Sequence, residues 1–247
     1  MIEEGLFDRF QPKAMYGLHV HPPLHAGQVG VKSGLYMASA DEIYITIEGR
    51  GGHAAVPHEA IDPIYMAAEV ITALQSVVSR SSHPAVPSVL TIGKIQSEGG
   101  ATNIIPNRVH LEGTIRTMDE EWRARAHDII RERVEKICRS HGGSAEIDIK
   151  VGYPYLNNDE ELTAISRTWM EEYLGEEEVF DLPLRMSAED FAYYTHHVPC
   201  CFYRLGTGNE ERGITSSVHQ NTFDVDERSL VTGAGMMAWL VIKQLSH

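Results

Sequence analysis

The sequence predicts two units that each contain strands and helices, and one of them, of the α+β class, is inserted into the other. Residues 41–156 show strand and helix patterns in the order β-α-β-β-α-β, whereas residues 1–40 and 157–247 do not follow that order. This order is the split βαβ pattern of ferredoxin-like α+β domains. Neither flanking piece can bury a core alone, so we expect the two pieces to form one domain around the insertion.

The insertion contains four predicted strands, and apolar and polar residues alternate in three of them. The first runs through Ile43, Ile45 and Ile47, with a polar residue after each isoleucine. Such alternation is typical of antiparallel strands with one buried and one exposed face. The four predicted strands are residues 43–47, 88–95, 109–115 and 147–151.

Two helices are predicted between these strands, because apolar residues recur at helical spacing over residues 61–78 and 122–138. The first helix is expected to be entered through Pro57, since proline suits the first helical turn. The second helix is expected to begin with a capping box formed by Thr117 and Glu120.

The outer pieces supply the remaining predicted elements. An amphipathic helix is expected over residues 160–174, ended by Gly175, and an apolar helix over residues 230–245. Residues 200–205 are predicted to form a buried strand, and residues 206–208 the loop after it.

Composition narrows the class of protein. The 247 residues carry a formal net charge of −14, which argues against nucleic-acid or anionic-membrane partners because both attract basic surfaces. The three cysteines, Cys138, Cys200 and Cys201, form no Cys-x-x-Cys motif. A reducing, cytoplasmic location is therefore expected. No apolar run is long enough to predict a membrane span.

The glycine-rich stretch from Gly49 to Pro57 allows three interpretations. Gly49, Gly51 and Ala54 satisfy a loose dinucleotide-binding fingerprint, but the strand before them alternates and lacks the continuous apolar character of a buried parallel strand. A tight turn with a surface histidine is the ordinary interpretation. The third interpretation is that His53 belongs to a catalytic site, where it can donate hydrogen bonds near neutral pH.

Four further residues are candidates for chemistry. His19 and His219 each lie in or near a loop of the outer pieces, and imidazole is a common ligand of zinc-like metals. The ordinary role of a lone histidine is structural. Asn103 is either a turn residue or a hydrogen-bond partner for a ligand. Arg116 is either a solvated charge or a bidentate clamp for a carboxylate. Serine-nucleophile and phosphate-loop motifs are absent.

Six motifs, in the same order, resemble those of the aminoacylase, hippurate hydrolase and indole-acetyl-amino-acid amidohydrolase family, and they span nearly the whole chain. The motifs are Tyr-Gly-Leu-His at 16–19, Gly-Arg-Gly-Gly-His-Ala-Ala-Val-Pro at 49–57, Asn-Ile-Ile-Pro at 103–106, Gly-Thr-Ile-Arg at 113–116, Ser-Ala-Glu-Asp-Phe at 187–191 and Ser-Val-His at 217–219.

This resemblance implies an α/β catalytic domain with an inserted ferredoxin-like lid and dimerisation domain at residues 41–156. It implies hydrolysis of the amide bond of an N-acyl amino acid, or of a related small amide or dipeptide. The complete site would hold two divalent metals, such as zinc, manganese, nickel or cobalt. A homodimer formed through the lid is expected, by hypothesis through its second helix and an edge strand.

The resemblance also implies roles for individual residues. His19 and His219 resemble metal ligands. His53 resembles the lid histidine that reaches the neighbouring subunit's active site and stabilises the developing oxyanion. Asn103 and Arg116 resemble lid residues near the carboxylate end of the substrate.

The chain departs from the family pattern in one respect. The family has an N-terminal region with a Cys-Gly-His-Asp-type motif and, later, a pair of glutamates; none of the three cysteines here is in a Cys-x-His context, and by the resemblance Met1 falls just after that pair. We therefore expect an incomplete catalytic domain, and the activity of this chain alone is left open. Two alternatives remain, a non-catalytic dimerisation module and a dinucleotide-dependent oxidoreductase that uses the Gly49 turn.

Overall fold

The computed structural model describes all 247 residues, which divide into two units. The first unit contains Met1–Tyr36, Leu156–Arg185 and Asp190–His247, and the second contains Met37–Tyr155 and Met186–Glu189. None of the helices combines the length and the apolar character needed to cross a bilayer.

The strands in chain order are β1 (Met15–His25), β2 (Val29–Val31), β3 (Gly34–Met37), β4 (Asp41–Glu48), β5 (Gly52–His53), β6 (Ser88–Ser97), β7 (Ile104–Ile105), β8 (Arg108–Thr117), β9 (Ser144–Val151), β10 (Leu156–Asn158), β11 (Val179–Asp181) and β12 (Cys200–Gly208). The α-helices are α1 (Leu6–Arg9), α2 (Pro63–Ser76), α3 (Glu120–Ser140), α4 (Glu160–Leu174), α5 (Ala192–Thr195) and α6 (Arg228–Ser246).

The second unit is built on an antiparallel sheet with strand order β6-β8-β4-β9. With α2 and α3, its chain order is the β-α-β-β-α-β order predicted from the alternation. On β4 the isoleucines are buried, and Ile45 lies opposite Leu111 of β8 and Ile147 of β9. These residues pack against apolar residues of α2 and α3, so the helices cover one face of the sheet and the other face is polar.

The first helix of the second unit begins later than predicted. Pro57 starts only a single 3₁₀ turn, Pro57–Glu59, and α2 begins at Pro63. The reason is the side chain of Asp62, which accepts a hydrogen bond from the Ile64 N–H at 2.8 Å and so caps the helix. Both prolines suit a first turn, but only the second follows a capping carboxylate.

The predicted capping box at Thr117 is wrong. Asp119 caps α3 by accepting a hydrogen bond from the Trp122 N–H at 2.7 Å. Thr117 is instead the last residue of β8, where it is buried and its hydroxyl lies 2.9 Å from that of Ser88. The hydroxyl is thus used to join two strands rather than to start a helix.

The first unit contains a mixed sheet with strand order β1-β12-β2-β11. Strand β12 is parallel to β1 and antiparallel to β2. Helices α4 and α6 pack against β12, and α4 has the predicted bounds. All nine residues of β12 are buried, and the predicted loop at residues 206–208 is part of this strand, because Gly206 pairs with His21 of β1.

All three cysteines are free thiols in buried positions, Cys138 on α3 and the adjacent Cys200 and Cys201 on β12. Burial raises the pKa of Cys200 and of Cys201 to about 12. Both side chains are therefore neutral and unreactive near neutral pH.

A buried carboxylate, Asp41, marks the start of β4. It accepts hydrogen bonds from Arg123 Nε at 2.9 Å, from His127 Nε2 at 2.6 Å and from the Gly152 N–H at 3.0 Å. Burial opposes ionisation, but the hydrogen bonds from Arg123, His127 and Gly152 outweigh it and hold the pKa of Asp41 well below its usual range. Gly152 follows the last residue of β9, so Asp41 ties the first strand of this sheet to the end of the last.

We predict that Asp41→Asn lowers the free energy of unfolding by about 3 kcal/mol, because it leaves the buried guanidinium of Arg123 without its counter-charge. Since the folded-state pKa of Asp41 is depressed, its contribution is complete above the ordinary carboxyl pKa of about 4 and is lost as the pH falls below that value.

Urea unfolding of both proteins, from about pH 7 down to about pH 2, tests this prediction. The stability of the wild type should fall more steeply at the acid end than that of Asp41→Asn. Asp128→Asn is the matched control, because Asp128 is 84% exposed and pairs only with Arg131. An equal effect of the two substitutions would contradict the role given to Asp41.

Candidate functional site

The most accessible candidate is His53, whose imidazole is exposed on the two-residue strand β5. Its Nδ1 accepts a hydrogen bond from the Ala55 N–H at 3.0 Å. An imidazole nitrogen that accepts a hydrogen bond carries no proton, so the proton of the neutral ring is on Nε2. The turn therefore presents Nε2–H of His53 as a hydrogen-bond donor.

Asn103 lies beside His53. Strand β5 pairs with β7, with His53 opposite Ile104, and the Ala54 N–H donates to the carbonyl oxygen of Asn103 at 3.0 Å. The backbone of Asn103 thus holds the turn, and the residue itself is exposed. The structure brings these two predicted site residues together.

The glycines of this turn are required by close backbone contacts. A Cβ on Gly49 would lie 2.1 Å from the carbonyl oxygen of Ile61, and a Cβ on Gly51 would lie 2.6 Å from that of Ile105. The strand before the turn is antiparallel to both its neighbours, and the next α-helix starts only at Pro63. A dinucleotide site needs a parallel strand that leads directly into a helix, so this geometry does not support the oxidoreductase alternative.

Arg116 lies at the opposite end of the sheet of the second unit. At the end of the sheet next to the turn, Arg108 of β8 pairs with Glu48 of β4. Arg116 is eight residues further along β8, which places it roughly 27 Å from Arg108 at about 3.4 Å per residue. The guanidinium of Arg116 is partly exposed and forms no ion pair or hydrogen bond within the chain. It is free to bind an anion, but not beside His53 of the same chain.

His19 belongs to the first unit, in β1 at the edge of its sheet. It is partly buried, and its Nδ1 lies 2.8 Å from the carbonyl oxygen of Val20. This contact favours a proton on Nδ1, which leaves Nε2 with the lone pair that a metal ligand needs.

His219 is exposed in the loop between β12 and α6, and it is the single non-glycine residue with a left-handed backbone, at φ 66°. Left-handed backbone is uncommon outside glycine and is concentrated at functional sites. Buried contacts close this loop at its base, where Asn209 Nδ2 donates to Asp226 Oδ2 at 2.5 Å.

The residues present do not by themselves make a metal centre. No group of three or more histidine, cysteine, aspartate or glutamate side chains is placed so that it could hold a metal ion. A catalytic zinc site normally takes three protein ligands. His19 and His219 are therefore at most part of a ligand set, and no catalytic step can be assigned to a metal from these residues alone.

Sequence patterns did not single out Arg204, which is 5% exposed in β12 and lies opposite His19 in the register with β1. Its Nε donates to Tyr36 Oη at 3.2 Å. Burial, together with the charges of Arg185 and Arg204, lowers the pKa of His21 to about 4. The sequence signal that could have identified Arg204 is its position as a single arginine inside the apolar run at residues 200–205, because a buried guanidinium needs polar partners.

Comparison with known proteins assigns the family. The model of peptidase family M20/M25/M40 matches residues 1–243. The chain belongs to this family.

Two curated members of the M20 family and one solved structure illustrate the similarity. A probable hydrolase of Synechocystis is 38% identical over 90% of this chain and 57% of its own length. An N-acetyl-L-cysteine deacetylase of Bacillus subtilis is 37% identical over 94% of this chain and 53% of its own length. A Bacillus subtilis protein described as a dinuclear metal binding peptidase has 28% identity and a TM-score of 0.75 over 99% of this chain and 60% of its own.

The chain thus spans little more than half the length of the curated M20 relatives that it matches. The family is established by the match, whereas the activity of the whole protein and the roles of His19, His53, Asn103, Arg116 and His219 are proposals.

We predict that Gly49→Ala destabilises the turn by about 1–3 kcal/mol, because the new methyl group would overlap the carbonyl oxygen of Ile61. Gly93→Ala is the matched control, because a Cβ there has no heavy atom within 4 Å, and a change within about 0.5 kcal/mol is expected. Urea unfolding measures both. Equal stabilities would show that the close contact at Gly49 is easily relieved.

Proposed function

We propose that the chain carries part of the active site of a metal-dependent amidohydrolase that cleaves the amide bond of N-acyl amino acids or of related small amides and dipeptides. Membership of the M20 family supports hydrolysis of an amide or peptide bond. The relative from Bacillus subtilis named as an N-acetyl-L-cysteine deacetylase supports the N-acyl amino acid as substrate class.

The observation that carries the proposal is the orientation of the His53 ring. Amide hydrolysis passes through a tetrahedral intermediate with a negatively charged oxygen, and a fixed donor aimed at that oxygen stabilises the transition state by roughly 3–4 kcal/mol. His53 has its Nδ1 occupied by the Ala55 N–H, and its Nε2–H faces outward. We assign His53 the role of this donor, with the exposed amide of Asn103 as a neighbouring polar group.

Arg116 suits the other end of the substrate. A guanidinium binds a carboxylate through two parallel hydrogen bonds, and Arg116 has no partner within the chain that would compete. We assign Arg116 to the carboxylate of the amino-acid part of the substrate.

These two assignments require two subunits. The ends of β8 lie roughly 27 Å apart, far more than the length of an N-acetyl amino acid, so one substrate cannot contact His53 and Arg116 of the same chain. We propose a homodimer in which His53 of one subunit acts on the substrate held by Arg116 of the other.

The pairing surface that we propose is the outer side of α2 together with β6. Ile64 and Tyr65 at the start of α2 are 46% and 54% exposed, and Ile95 on β6 is 56% exposed. Strand β6 is an edge strand, bonded on one side only, and two copies can pair across a two-fold axis. The proposed surface differs from the one expected from the sequence, in which the second helix, α3, mediates pairing. We prefer α2 because the outer face of α3 carries surface ion pairs such as Lys136–Glu132.

The complete enzyme is proposed to hold a pair of divalent metals, whose identity is open. The Bacillus subtilis structure described as dinuclear supports the pair, and His19 and His219 are the proposed ligands from this chain. The other ligands are not found as a cluster among these 247 residues and would be supplied from elsewhere. When bound, such metals acidify a water molecule and polarise the amide carbonyl.

A second candidate function is a non-catalytic dimerisation module. It is favoured by the lack of a complete group of metal-binding side chains, while the edge strand β6 and the outer side of α2 remain available for pairing. It differs from the enzyme in requiring neither metal nor turnover.

The decisive test of function is release of acetate from N-acetyl amino acids in the presence of added zinc or manganese, together with elemental analysis of the dialysed protein. For the enzyme we predict that His53→Ala lowers kcat by about 100-fold or more, whereas Arg116→Gln chiefly raises KM. At substrate concentrations far below the KM of Arg116→Gln, an equimolar mixture of the two variants should recover about one quarter of the wild-type activity, because half of the dimers are mixed and each mixed dimer regains one intact site.

No recovery in the mixture would contradict the two-subunit site. Absence of both bound metal and acetate release in the wild type would leave the dimerisation module as the function of this chain. About two metal ions per chain would show that a ligand set forms within these residues on metal binding.

We predict that Ile64→Glu produces monomers, because it places a charge on the proposed pairing surface. Light scattering should give twice the chain mass for the wild type and the chain mass for the variant. Leu245→Glu is the matched control, since Leu245 is an equally apolar residue that is 83% exposed on α6 in the other unit. If Leu245→Glu dissociates the dimer and Ile64→Glu does not, the pairing surface lies on α6 and the proposed surface is wrong.

A further inference from the structure

The second unit has an open cleft of about 620 Å³ on the polar face of its sheet. Strands β4, β6, β8 and β9 all contribute to it, with Thr91, Thr114 and Tyr153 among the uncharged residues. Its charged lining residues are Asp41, Glu42, Lys94, Glu112, Arg116 and Lys150.

Most of these charges already have partners. Asp41 is buried against Arg123, and Lys94 lies 2.6 Å from Glu112. The remaining carboxylate, Glu42, accepts a hydrogen bond from the hydroxyl of Tyr44 at 2.7 Å.

Two cations, Arg116 and Lys150, are left without a carboxylate. The side chain of Arg116 makes no ion pair or hydrogen bond. The ammonium group of Lys150 lies 5.0 Å from the centre of the Tyr44 ring and within ion-pair distance of no acidic side chain. A cation–π contact of this kind orients the ammonium group without neutralising it.

The strand register places the two cations within reach of one small ligand. Lys150 and Thr114 both lie opposite Glu42, on either side of β4, so their Cα atoms are roughly 10 Å apart, and Arg116 is two residues beyond Thr114. The long side chains of Arg116 and Lys150 can therefore converge over the cleft from about 12 Å between Cα atoms.

We propose that this cleft binds a ligand with two anionic groups, in which Arg116 binds the α-carboxylate and Lys150 a second anion on the side chain. The preferred substrates are then N-acyl derivatives of acidic amino acids. The inference rests on the proposed function in taking Arg116 as the carboxylate clamp, and it adds Lys150 as a residue that determines specificity. The net charge of −14 opposes general attraction of anions, so a preference for a dianion has to arise locally.

The test is an NMR titration of the ¹⁵N-labelled full chain, without added metal, with N-acetyl-L-glutamate, N-acetyl-L-glutamine and N-acetyl-L-lysine. Glutamine has the shape of glutamate without its side-chain charge, and lysine reverses that charge. We expect Kd for the glutamate derivative to be roughly fivefold to tenfold below that for the glutamine derivative, with the lysine derivative weakest. The shifted resonances should include the Arg116 side chain and residues of β8 and β9.

Lys150→Met should make the glutamate and glutamine derivatives bind equally, whereas Arg116→Gln should weaken both. Lys136→Met is the matched control, because it removes the same charge from the outer side of α3 and should preserve the preference. The preference should also shrink with added salt.

The inference is overturned by equal affinities in the wild type, by a preference that survives Lys150→Met, or by shifts that lie outside the cleft. Because the titration measures binding without metal or turnover, these outcomes leave the proposed hydrolysis to be judged by acetate release alone. Conversely, lack of acetate release would not remove a charge preference that depends on Lys150.

Discussion

The second unit depends on the buried carboxylate of Asp41. A charge without water is tolerated only where opposite charge and hydrogen-bond donors surround it, and here the donors come from Arg123 and His127 of α3 and from the backbone of Gly152. The first strand, the second helix and the end of the last strand are therefore tied at one point. Asp41 pairs in register with Ile115, so the same cluster fixes the end of the sheet at which Arg116 projects.

The sheet between Asp41 and the glycine-rich turn acts as a spacer of fixed length. Eight paired residues of β4 hold the ends apart, and the antiparallel neighbours on both sides prevent the strand from bending back. The candidate groups at the two ends, His53 on β5 and Arg116 on β8, are therefore held far apart within one chain. This separation is the reason for which the proposed site takes its two groups from two subunits.

Sequence patterns predicted the elements of the second unit because its strands have one buried face and one solvent-exposed face. They failed where a single contact decides the outcome. The start of α2 depends on the Asp62 carboxylate, and β12 continues through Gly206 because this residue pairs with His21 of β1. Glycine is required there, since a Cβ would lie 2.1 Å from the carbonyl oxygen of His25. The family was predicted from motifs and is confirmed by the match over residues 1–243, but the roles of its histidines come from resemblance. The apolar–polar periodicity of the sequence could not reveal Lys150 as a candidate, because Lys150 is distinguished only by having no acidic side chain within ion-pair distance.

The adjacent thiols of Cys200 and Cys201 have a practical consequence. Successive side chains of a strand point to opposite faces, so the two sulfurs are directed apart and do not favour a disulfide with each other. With the pKa of both thiols raised to about 12 and Cys138 buried in α3, maleimide reagents should leave the native cysteines untouched. A cysteine introduced near the exposed turn at His53 could then carry a fluorophore or spin label without prior removal of the natural ones, which makes the distance between two turns in an assembly directly measurable.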